Sequence, residues 1–190
     1  MIENFLRRPQ TLGEVAADAV RVVGALSVVA AAIWFDLTDA GVLAFALPGL
    51  VAPRFVGVRS WFDITCGVTL LVAAWSNVFD LYTSVAWWDL AVHLVCTGVV
   101  AALLYVLLAR LQILPNPQSE RFVPAGAVVV VTAFGLALSA VWEMVEWIGF
   151  TFISDDIFVA YGDTIGDMAV GGVGALLAGF AVAHITLLRD

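Results

Sequence analysis

Residues Phe122–Phe150 read FVPAGAVVVVTAFGLALSAVWEMVEWIGF. From Phe122 to Val141 the stretch carries no charged side chain. That length, at about 1.5 Å of rise per residue, spans the ~30 Å hydrocarbon core of a bilayer as one helix. The apolar residues recur on every face, so the helix lies in lipid or deep among other helices. Near its end come Glu143 and Glu146, three residues apart, with no Lys or Arg in the stretch. A lipid-spanning segment that holds two uncompensated acids calls for an explanation.

The rest of the chain has the same character. Hydrophobic residues make up 63% of the 190 and charged residues 13%, with a mean hydropathy of +1.03. A soluble domain would not carry this composition. The expected fold is therefore all-α: a polytopic membrane bundle of six transmembrane helices, spanning about 12–35, 40–53, 61–79, 85–109, 122–150 and 164–188. Each crossing uses roughly 20 residues, so the chain is expected to form one transmembrane domain, 1–190, with no separate catalytic domain. The start, MIENFLRRPQTLGEV, lacks the pattern of a cleavable signal and reads as a cytosolic lead-in. Thr11 to Glu14 and Ser60 to Asp63 fit the capping box that opens a helix, and Asp63 is assigned to it. The second span is short and contains Pro48 and Pro53, so a kinked or partly re-entrant passage is its alternative.

Orientation is read from the arginines. There is no lysine, and Arg7, Arg8, Arg21, Arg54, Arg59, Arg110, Arg121 and Arg189 fall before or near the start of the first helix, in alternate loops, or after the last helix. The positive-inside rule then puts both termini in the cytoplasm. The loops around DLTD, DLYTS and TFISDDIFVAYGD face outward, and with the outer helix halves they hold ten of the sixteen acids. The net charge of −8 is thus one-sided. It gives no support to nucleic acid as a partner, since that needs a basic surface, and none is expected.

Three stripes carry the chemistry. In WWDLAVHLVCTG, Asp89 and His93 are spaced i, i+4 on one helical face, with Thr97 continuing it. Gly135, Ser139, Glu143 and Glu146 form the second stripe, and YGDTIGDM places Asp163 and Asp167 at the start of the last helix. Asp89 and His93 are expected roughly 6–12 Å inside the outer end of their helix, at about the depth of the two Glu. Capping is a competing account for some of these residues. Asp167 could complete a box with Thr164, and Asp163 and Asp89 lie near helix N-termini where the dipole favours an anion. Glu143 and Glu146 lie near a C-terminus and repel each other, so capping does not account for them. His184 has no acidic stripe beside it and reads as structural.

Buried ionised groups cost several kcal/mol each unless balanced, by a raised pKa, hydration or a bound cation. Asp89, His93, Glu143, Glu146, Asp163 and Asp167 suit a divalent metal ion, Mg²⁺, Mn²⁺, Zn²⁺ or Ca²⁺. Two function classes emerge. As a metal-dependent hydrolase, the protein would use Glu146 or Glu143 as general base on a lipid head group or another small amphipathic substrate at the outer leaflet. As an ion- or proton-coupled transporter, it would use the same carboxylates as the outer end of a pathway. A structural membrane subunit is the third reading.

The order WWDLAVHLVCTG, then VWEMVEW, then GDTIGDMAVGGVGALLAG resembles the YjdF family of bacterial inner-membrane proteins, a domain of unknown function, from about Asn77 onward. The aromatic before the first Asp is Tyr in that family's pattern and Trp88 here. A more distant similarity to VanZ-like membrane proteins rests on fewer residues. The resemblance implies a multi-pass protein of a prokaryotic plasma membrane, in which the six acid and histidine positions belong to one feature. It implies no reaction.

Overall fold

A computed structural model describes residues 1–153 and 159–189. The expected outer-loop acids Asp155 and Asp156 lie outside the described residues. Eight helices are described: α1 Ile2–Leu6, α2 Leu12–Trp34, α3 Leu37–Val56, α4 Ser60–Val78, α5 Leu81–Ser84, α6 Trp88–Arg110, α7 Pro124–Phe152 and α8 Tyr161–His184. By length and composition α2, α3, α4, α6, α7 and α8 can each cross a membrane. There is no strand among the described residues, only an isolated antiparallel bridge between Val58 and Leu188. The chain divides into two compact units, Met1–Ala86 with Thr186–Asp190, and Trp87–Ile185.

In the first unit α2, α3 and α4 pack against one another around Ala31, Leu43, Ala74 and Val78. The second span is a continuous 20-residue helix despite Pro48 and Pro53, ended by Gly57 in the left-handed region at φ 78°. Of the two alternatives for this passage, the full-length helix is the one found.

Thr11 caps α2 as expected, its hydroxyl accepting from the Glu14 N–H at 3.2 Å. The Glu14 carboxylate accepts from the Gln10 N–H at 2.6 Å. Asp63 departs from its assigned role. Arg59 is the N-cap residue of α4 and supplies no side-chain cap. The Asp63 carboxylate instead accepts from Arg21, whose guanidinium also donates to Asp18 at 2.8 Å. Arg21 lies well inside α2, where an unpaired cation would be costly, so a carboxylate on the adjacent helix is drawn to it.

Around this pair Glu14 meets Arg7 and Arg189, and Arg54 reaches Asp18 at 3.7 Å. Arg189 also donates to Asn4 at 3.1 Å, so the N-terminal helix and the C-terminal tail meet at one end of this unit. The last helix was expected to run to 188. It stops at His184, and the tail extends so that Arg59 donates its N–H to the Leu187 carbonyl and Arg189 donates to Gly57.

In the second unit α6, α7 and α8 pack mutually. Glycine sets their spacing. A Cβ on Gly174 would fall 1.8 Å from the Leu94 carbonyl oxygen of α6, and one on Gly135 would fall 2.0 Å from the Ala175 Cβ of α8. In lipid, where burial of apolar surface gives no drive between helices, such close backbone packing supplies the attraction.

Candidate metal centre

In this unit two helix starts differ from expectation by three residues each, and both matter for depth. Helix α6 was expected from 85. The short helix α5 intervenes and Val85 is extended, so α6 begins at Trp88 and Asp89 falls in its first turn rather than deep within it. Helix α8 was expected from 164 and begins at Tyr161. Thr164 donates its N–H to the Ala160 carbonyl inside the first turn, so it is not a cap, and Asp167 lies in the second turn beyond capping reach. The capping explanation for Asp167 therefore fails. The dipole explanation holds for Asp89 and Asp163, which both occupy first turns. Glu143 and Glu146 remain near the C-terminal end of α7, where the dipole opposes them.

Five of the six expected residues converge. Asp89, His93 and Asp167 present ligand atoms all within 4.8 Å of one another, and His93, Glu143 and Glu146 do the same. His93 is common to both sets. Its Nε2 is 3.4 Å from Asp89 Oδ1, and the residue is 6% exposed. Asp163 belongs to neither set. It is half-buried one turn before Asp167 on the same face of α8.

Among the described residues, two oxygens here lack a hydrogen-bond partner although they are shielded from solvent: Asp167 Oδ1 and Glu143 Oε1. Asp167 is 2% exposed. Arg110 and Arg121 are the only arginines between 87 and 185. Arg110 ends α6, about 25 Å along the helix from His93. No guanidinium on these three helices reaches the acids.

The support around the acids is specific. Trp142 Nε1 donates to Glu146 Oε1 at 2.8 Å, one turn along α7. The i, i+4 spacing of Trp142 and Glu146 is the sequence signal for this contact. One turn below the acids the Thr97 and Ser139 hydroxyls lie 3.4 Å apart, both buried. Gly171 of α8 makes room for them, since a Cβ there would stand 2.3 Å from Ser139 Oγ and 3.0 Å from Thr97 Oγ1. Deeper still the helices close through fully buried Ala101, Val131 and Ala175.

Four carboxylates and an imidazole at this spacing form a hard-to-borderline donor set for a divalent cation. A family model described as a predicted membrane protein (DUF2238) matches residues 15–188. No curated protein and no solved structure matches the chain.

Proposed function

The chain belongs to the DUF2238 family of predicted membrane proteins, and we propose that its α6–α7–α8 unit binds a divalent metal ion and serves hydrolysis of an amphipathic substrate at the outer leaflet. The observation that carries the metal is Asp167. A carboxylate 2% exposed, with one oxygen unpartnered among the described residues and no arginine of its own three helices in reach, keeps its charge only if a cation meets it. His93 and Asp89 stand beside it to complete a three-residue seat. Such an ion polarises a carbonyl or phosphoryl oxygen or activates water. Glu143 and Glu146 adjoin the seat as further ligands or as general base, with Trp142 holding Glu146 in orientation.

The substrate class rests on the surroundings. Trp87, Trp142 and Trp147 are exposed on the same unit, the last making an edge contact with Phe152 at 6.3 Å. Aromatic side chains of this kind suit the zone between lipid head groups and tails. The closed packing beneath Thr97 and Ser139 supports a site entered from one end. A transport pathway would need polar positions continuing through Ala101, Val131 and Ala175, which favours the hydrolase over the ion- or proton-coupled transporter. The arginine distribution supports cytoplasmic termini and an exterior site in a prokaryotic plasma membrane.

Elemental analysis of purified protein, with Asp167→Asn and Asp89→Asn beside it, tests the metal. Wild type should retain a divalent ion after gel filtration and gain thermal stability when it is added, and both variants should lose the two effects. A wild type with no stoichiometric ion and no response to Mg²⁺, Mn²⁺, Zn²⁺ or Ca²⁺ would refute the proposal.

A further inference from the structure

Deepening the metal reading and resting on it, we infer that this centre has two adjoining cation seats and fills with two divalent ions per chain. The donors fall into two sets, Asp89–His93–Asp167 and His93–Glu143–Glu146. Oxygen donors bind such ions at about 2.0–2.6 Å, so two donors on opposite sides of one ion stand at most about 5 Å apart. Each set meets that limit, its ligand atoms lying within 4.8 Å of one another. Among the described residues each set also has its own shielded oxygen with no hydrogen-bond partner: Asp167 Oδ1 in the first and Glu143 Oε1 in the second. One ion beside Asp167 would leave the Glu143 oxygen without a partner.

Charge gives the same count. Asp89, Asp167, Glu143 and Glu146 sum to four negative charges, and no arginine of these helices lies near them. One divalent ion leaves two negative charges among apolar helices, whereas two ions neutralise the set. Paired ions in such centres stand roughly 3.5–4 Å apart. A neutral imidazole has one lone pair to give, so His93 serves one ion and the other takes an additional oxygen ligand.

The seats are therefore unequal. Asp89, His93 and Asp167 lie on α6 and α8, whose backbones meet at Leu94 and Gly174, and Asp167 and His93 are buried. Glu143 and Glu146 are only half-buried on α7. The first seat holds its ion tightly and the second exchanges.

The test uses full-length protein in detergent, stripped with chelator and titrated with Mn²⁺. Bound ion is counted by elemental analysis, and electron paramagnetic resonance distinguishes an isolated ion from a coupled pair. The expected result is two ions per chain with a coupled spectrum, one of them removed by dilution. Glu143→Gln should hold one ion with an isolated-ion spectrum, and Glu146→Gln gives the same reading if the first variant does not elute as a folded species. One ion in wild type and in both Glu variants, lost only in Asp167→Asn, overturns the second seat and leaves the single-ion reading standing. No ion in any protein overturns both.

Discussion

Gly174→Ala probes how three helices bring short carboxylates together. The added Cβ would lie 1.8 Å from the Leu94 carbonyl oxygen. A tolerable C···O contact is about 3.3 Å, so α6 and α8 must part by about 1.5 Å. The obstacle is backbone, which cannot rotate away as a side chain would. Overpacking of this kind costs about 1–3 kcal/mol, and the rigid neighbour puts the cost near about 3. Replacing glycine by alanine inside a helix returns about 1 kcal/mol of propensity, leaving a net loss of about 2.

Gly162→Ala, on the same helix with nothing within 4 Å of the new Cβ, is the matched control and should be neutral or slightly stabilised. Reversible unfolding of both variants in mixed detergent micelles measures the difference. The same displacement would move Asp167 away from Asp89 and His93, whose ligand atoms lie within 4.8 Å of it, so Gly174→Ala should also bind metal more weakly. Equal stability of the two variants would refute the close approach and the reasoning built on it.

Asp63→Asn keeps an oxygen that can accept from Arg21 but removes its charge, and should destabilise the first unit by about 1–2 kcal/mol in the same unfolding assay, since Arg21 keeps Asp18 and the Leu50 carbonyl. An effect near zero would mean that Asp63 is no more than a dispensable cap. Trp142→Phe keeps the aromatic surface and deletes the donor to Glu146. Ion affinity measured by Mn²⁺ titration should fall severalfold while global stability changes by less than about 1 kcal/mol. C-terminal fusions report the side of the membrane: a fluorescent protein should fluoresce and an alkaline phosphatase should be inactive, and the reverse pattern would overturn the cytoplasmic assignment.

Much of this protein follows from local composition. The apolar runs at Leu12–Trp34, Ser60–Val78 and Pro124–Phe152 specify their helices, because in lipid a backbone must satisfy its own hydrogen bonds whatever its neighbours are. Stripes such as Asp89–His93 and Glu143–Glu146 were legible for a similar reason: helical periodicity alone puts them on one face.

Helix starts were less legible. Trp87 and Ala160, the N-cap residues of α6 and α8, make no side-chain capping bond, so no local signal in the sequence marks where those helices begin. Asp63 shows the limit of motif reading. Its spacing from Ser60 matched a cap, yet a guanidinium 42 residues away outcompeted that local role. The meeting of Asp167 with His93, and the exclusion of Asp163 from both donor sets, needed the distance of α8 from α6 and α7. That distance is set where Gly174 and Gly135 let backbones touch. A Cβ at Gly41 or Gly162 would meet no described atom of another element within 4 Å, and only the folded chain distinguishes these glycines from the others.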